Sequence, residues 1–324
     1  MEKMKFIIAI LMMNKLKNDF LFYLILYLKM MKLREWINKD KINWTYLSSN
    51  PNAIELLKKN LKKVNWYCLS SNPNAIEILK ENQDKINWSY LSSNPNAIEL
   101  IKANLDKISW GSLSANSNAI EILKDNQDKI DWEYLSLNPN AIELLKQNPN
   151  KIDWDMLSSN PNAMELLKEN PDKINWDYLS SNPNAIKMLK ENPNKIDWEE
   201  LSSNPSAVEF LKKNQDKIDW TSLSLNENAI DLIKENLDKI DWCLLSSNPC
   251  AIELLKDNQD KIDWAEFSEN PEIFIDSYDY DSIKKHFKNL NEEIVIKALH
   301  PKRMLRLMAE YGEDEIYKHY FDEH

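Results

Sequence analysis

Tryptophan recurs in this chain every 22 residues. Trp44, Trp66, Trp88, Trp110, Trp132, Trp154, Trp176, Trp198, Trp220, Trp242 and Trp264 form an unbroken series, with no insertion or deletion between any two, and only Trp36 stands outside it. A period this regular implies one small supersecondary unit built again and again, each copy burying its apolar face on the next. A representative copy is KIDWDMLSSNPNAMELLKENPD, residues 151–172. Ten complete copies span 41–260, and an eleventh begins at Lys261 and loses the pattern after Pro271.

Each copy predicts two short helices. The first starts at an Asn or Asp cap (Asn43, Asp153, Asp219), takes Trp as its first residue and closes on Leu and Ser; at about five residues it is short enough for a 3₁₀ turn. The second has Asn160 as its N-cap and Pro161 at the first helical position, and it runs on through Lys168. Asn170 is expected to stop it in the left-handed conformation, with Pro171 marking the exit. Ile152, Trp154, Leu157, Ala163, Met164 and Leu167 form one apolar stripe per copy. Helices this short do not hold themselves together in water, so the stripe must be buried between copies. The position of Ala163 is alanine in every complete copy, which allows close approach of neighbours. The expectation is an all-α solenoid, a right-handed superhelix in which eleven copies at about 9 Å each span about 100 Å.

Polar positions recur as strictly as apolar ones. Asn50, Asn72, Asn94, Asn116, Asn138, Asn160, Asn182, Asn204, Asn226, Asn248 and Asn270 occupy one place in all eleven copies. A polar recognition ladder and a helix cap both fit; the proline that usually comes next favours the cap. Ser158 and its equivalents also read as structural. Lys168 and its equivalents stand three residues after an acidic one in most copies, the spacing of solvated helical ion pairs.

What varies between copies bears on partners. Tyr46, Tyr90, Tyr134 and Tyr178 fall after Trp in every second copy, and Tyr67, Met156, Glu200 and Leu244 occupy the same two variable positions. Packing leaves these positions free to differ, so they should face solvent or a groove, and tyrosine is favoured at protein interfaces. Duplication of a 44-residue pair explains the tyrosine spacing equally well. These eight residues are the candidate partner-binding set.

Composition removes other functions. The formal net charge is −11, which disfavours nucleic acid. Two glycines, Gly111 and Gly312, cannot build a phosphate-cradling loop. Three cysteines suggest a reducing compartment without a disulfide framework. All four histidines, His286, His300, His319 and His324, lie near the C-terminus without metal-ligand spacing. No catalytic residue, cofactor site or metal site is expected, because a catalytic constellation would have to break the repeat.

The ends differ from the array. Residues 272–324 read as a C-terminal helical cap, with helices around 292–299 and 301–310 ended by Gly312. Residues 1–40 read as an apolar helical segment and N-terminal cap. Within them, residues 1–29 admit three readings: a capping helix, a membrane-surface anchor, or an extension upstream of a native start at Met30 or Met31. Their apolar runs, 6–13 and 20–28, are each too short to cross a membrane. Residues 32–37 look like a half-unit leading into Lys41.

The motifs NPNAIELLK (for example from Asn50) and DKINWDYLS (from Asp172), with ALHPKR at 298–303, resemble tandem-repeat proteins of giant DNA viruses of the mimivirus kind. The abundance of Lys, Asn, Ile and Leu is that of an AT-rich genome. The alternation of a very short helix with a longer one is similar to leucine-rich repeat variant solenoids. The resemblance carries no catalytic residues. It implies a scaffold binding host or viral proteins, in the host cytoplasm or the virion. The alternatives are a structural rod in virion assembly or a scaffold tethered to a membrane through residues 1–29.

Overall fold

The computed structural model describes residues 29–278, together with Arg306 and Ala309, both helical. Residues 33–275 form one compact unit. The expected helices at 292–299 and 301–310 lie outside the described residues apart from those two positions, as do 1–28 and all four histidines.

The repeat is helical throughout, as an all-α solenoid requires. The first helix of each unit is six α-helical residues starting at Trp, such as Trp154–Ser159; unit 9 shortens it to Trp220–Leu223. It is therefore α rather than 3₁₀. The side chain of the residue before Trp accepts a backbone N–H from the first turn: Asp153 takes that of Met156 at 2.9 Å. The second helix begins later than the Asn-Pro signal suggests, at Met164 in unit 6. Asn160 instead caps an Asx turn, accepting the N–H of Asn162, and its carbonyl accepts the N–H of Ala163. The stop is also different in kind. Asn170 has φ −132°, so no left-handed residue is used; its side-chain amide donates to the Leu166 carbonyl at 2.9 Å and satisfies one of the orphan groups. A third element comes next in most units, a 3₁₀ turn such as Pro171–Lys173. In units 1, 3 and 9 its first position is Leu61, Leu105 or Leu237, and a plain turn takes its place.

The core is a column of Leu157, Ala163 and Leu167 equivalents, all fully buried, with Ile152 and Leu166 equivalents at its edge. Trp154 and Met164, read as core, are only half-buried. Tryptophan works instead as a platform: the ammonium of the lysine that opens the next unit lies over its ring. Lys173 sits 4.5 Å from the Trp154 ring centroid, and Lys63 sits 4.6 Å from that of Trp44. Lys173→Met keeps the apolar stem and removes the charge, so it should destabilise by about 0.5–1 kcal/mol in urea denaturation.

The polar column is fully engaged. Asn160 donates to the carbonyls of Ser136 and Asn138 in the preceding unit, at 2.9 and 3.0 Å. Ser158 Oγ donates to the Trp154 carbonyl and accepts the cap N–H of Asn175 in the next unit. The asparagine series is thus a turn that closes the first helix and a clamp between units, and not the N-cap of the second helix that the Asn-Pro signal suggests, which is Ala163.

The array does not run open. Asn50 of unit 1 donates to the carbonyls of Ser268 and Asn270 in unit 11, at 3.1 and 2.9 Å. Asn52 donates to the Pro271 carbonyl, and the Asn43 N–H donates to Ser268 Oγ. Lys41 lies over the Trp264 ring at 5.0 Å. The bonds that recur between neighbours around the array are repeated between the last unit and the first. Residues 33–275 are therefore a closed ring of eleven units, and the expected superhelix about 100 Å long is corrected: with its ends joined, the array has no free pitch. The half-unit before Lys41 seals the joint. Leu33 and Ile37 are buried, and Trp36 packs on Phe267 of unit 11 at 5.7 Å. Arg34 donates to the Glu272 carbonyl and pairs with Glu253 and Glu272. Lys29–Leu33, expected to be helical, is a strand, β1, paired with β2 (Phe274–Tyr278) in a two-stranded sheet.

Candidate functional site

Closure gives the ring an inside. Consecutive first helices pack directly on each other around the ring, including the first on the last, except at the step from the shortened helix Trp220–Leu223 to unit 10, where Asp241 and Asn248 hydrogen-bond to Ser224 instead; consecutive second helices stand further apart. Elements that touch around a closed ring lie at its smaller radius. Eleven helices about 9 Å apart make a circle about 32 Å across through their axes. A helix is about 10 Å thick, so the inner circumference is about 20 Å across.

The first helix buries its Leu and Ser against neighbours and leaves the two residues after Trp exposed or half-buried. All eight candidate partner-binding residues stand on this one strip. Tyr67, Tyr90, Tyr134 and Tyr178 are exposed by 60, 50, 47 and 41%, which makes them the largest exposed aromatic surfaces among the described residues. Glu200 is also exposed, while Tyr46, Met156 and Leu244 are half-buried. The strip is continuous from unit to unit. The Tyr67 and Tyr90 rings meet edge to face at 6.3 Å, and Asn175 donates to Asp155 at 3.0 Å. A Cβ built on Gly111 would touch the Asp131 carboxylate and the Tyr134 ring of the next unit.

The outer surface is different. Lys58–Glu55 at 3.2 Å and its equivalents, down to Lys256–Glu253, are exposed (i, i+3) pairs. Exposed to solvent, they contribute little to stability. Unit 7 breaks the series because Lys187 replaces the acid; its Lys190 lies instead over the Phe210 ring at 5.5 Å.

On the strip, carboxylates repel one another. Burial pushes the Glu200 carboxyl above its ordinary range, and Asp197, Glu199 and Asp177 push it further. A carboxyl raised in the folded state disfavours its ionised form there, so the penalty is present above the folded pKa and fades as pH falls through it. Glu200→Gln should therefore stabilise the ring at pH 7, by no more than about 1 kcal/mol at this exposure. The gain should shrink in melts as pH falls through the raised carboxyl's range and be gone below about pH 4.

Among the described residues, no group of three His, Cys, Asp or Glu side chains converges as a metal site. Nor is any helix there long and apolar enough to cross a membrane. No family model, curated protein or solved structure matches the chain. Sequence reasoning placed the variable residues on one exposed strip but missed that the strip is concave and that its charge is uneven.

Proposed function

We infer that the ring is a non-enzymatic scaffold that binds protein partners through the variable strip on its first helices. One observation carries this reading. Positions that join units are nearly invariant around the ring, while the two exposed positions after Trp change from unit to unit. Variation along a continuous, partly exposed surface is what a repeat scaffold uses to read a partner. The exposed tyrosines supply large contact area with a hydroxyl at its edge. On the viral resemblance, the targets would be host or viral proteins in the host cytoplasm or the virion. The alternative of a long rod in assembly loses support, since the array's ends meet. A membrane tether would rest on residues 1–29, which apart from Lys29 lie outside the described residues.

Panning a displayed random-peptide library against the full chain tests the reading. Enriched peptides should lose binding when Tyr67, Tyr90, Tyr134 and Tyr178 are together replaced by Ser. No enrichment, or enriched peptides indifferent to that variant, would overturn it.

A further inference from the structure

The strip is polarised along the ring. In units 1–4 the cap and the two positions after Trp carry no charge; Asn43, Asn65, Asn87 and Ser109 are the caps, and Tyr46, Tyr67 and Tyr90 dominate the two positions after Trp. From unit 5 onward the strip is acidic. The cap is Asp in every unit except unit 7, where it is Asn175, and the positions after Trp carry Glu133, Asp155, Asp177, Glu199, Glu200 and Glu266. No ion pair among the described residues draws on these carboxylates, in contrast to the paired carboxylates of the outer helices. Acids near a helix N-terminus gain from the helix dipole, but units 1–4 present the same N-termini without them. The dipole therefore does not account for the segregation. Tyr134 and Tyr178, both large and exposed, stand among the acids.

Resting on the scaffold reading, we propose that the arc formed by units 5–11 binds an extended, lysine- or arginine-rich peptide segment of a protein partner. The chemistry is complementary on both counts: carboxylates without a cationic partner take the charge, and tyrosine faces take the cation and its apolar stem. Nucleic acid and acidic peptides are repelled by the same surface. An extended chain advances about 3.3 Å per residue, so about two residues of the guest would pass each unit at the inner face. Burial first, and then the charges of neighbouring carboxylates, hold Glu200 and Glu266 above the ordinary carboxylate range, and a cationic guest would offset the second of these.

The test uses fluorescence anisotropy on the full chain. The probe is a labelled 15-residue peptide, Ser-Ser-Lys five times over, with Ser-Ser-Glu five times over as control. The lysine peptide should bind and the glutamate peptide should not. A strip variant, Glu133→Gln, Asp155→Asn, Asp177→Asn, Glu199→Gln and Glu200→Gln together, should weaken binding by about ten-fold or more. An outer variant, Glu99→Gln, Glu121→Gln, Glu143→Gln, Glu165→Gln and Glu209→Gln together, has the same net charge and should change binding by less than about two-fold. Carbodiimide coupling of the lysine peptide to the unaltered protein, mapped by mass spectrometry, needs no variant and should mark the strip of units 5–11. Equal weakening by both variants, coupling spread over the outer helices, or no binding of the lysine peptide would overturn the proposal. If the panned peptides need the tyrosines but carry no basic residues, this proposal falls and the scaffold stands; if panning yields nothing, both fall.

Discussion

Asn50→Ala should cost as much folding free energy as Asn160→Ala, about 3 kcal/mol in each case. Asn160 lies in the middle of the array, where its side chain donates to two carbonyls of the preceding unit and accepts one N–H of its own turn. Truncation removes a cap, worth about 1 kcal/mol, and leaves buried polar groups short of a partner at about 1–3 kcal/mol. Asn50 has no preceding unit in the sequence. In an open array it could lose only its local bond to the Asn52 N–H, and the substitution would cost about 1 kcal/mol. In the ring its donors reach Ser268 and Asn270, 218 and 220 residues away. Urea denaturation of the two variants side by side therefore reads closure directly. A cost for Asn50→Ala near the cap value alone would mean that the first and last units do not meet in solution.

Much of one unit was legible in the sequence because the forces that shape it are local. The Trp period, the cap before Trp, the invariant asparagine and the small Ala163 position each state a nearest-neighbour requirement, and each is met as a nearest-neighbour contact. Details failed where two local solutions compete. Asn170 can end a helix by adopting a left-handed backbone or by turning its amide back onto a carbonyl, and composition alone does not choose between them. Trp154 looked like core because it is apolar and periodic; half-exposure under a lysine suits its large ring equally well. Closure was not legible at all. It depends on the angle between successive units, summed around the circle, and a small change in that angle would give an open superhelix from almost the same residues. Two signals in the sequence are consistent with closure in retrospect: the absence of any insertion across eleven units, and the half-unit carrying Arg34 and Trp36, whose partners Phe267 and Glu272 lie at the other end. The candidate strip was found because variation marks it. Its concavity was not, because concavity is a consequence of closure.

Excision of one whole unit, residues 151–172, should destabilise the chain far more than its share of the array. The cut joins Asn150 to Lys173 in register, so the sequence pattern is untouched and an open stack of ten would lose one interior copy and nothing else. A ring loses its geometry. Eleven units each turn by about 33°, and ten would have to turn by about 36°. At the radius of the first helices, about 16 Å, the extra 3° displaces each interface by about 1 Å. Hydrogen bonds at 2.9–3.1 Å between units, such as those of Asn72 and Asn94, do not survive a stretch of that size. The ten-unit chain is therefore expected to stay open and to forfeit the whole joint: the bonds of Asn43, Asn50 and Asn52, the Lys41 contact with Trp264, and the apolar seal of Leu33 and Ile37. Several kcal/mol are lost there, and the melting temperature should fall on the order of 10 °C. In that background Asn50→Ala should cost only its local turn, about 1 kcal/mol. A ten-unit chain that melts with the parent, and in which Asn50→Ala still costs about 3 kcal/mol, would show that the units tolerate a different turn angle and that eleven is not fixed by their packing.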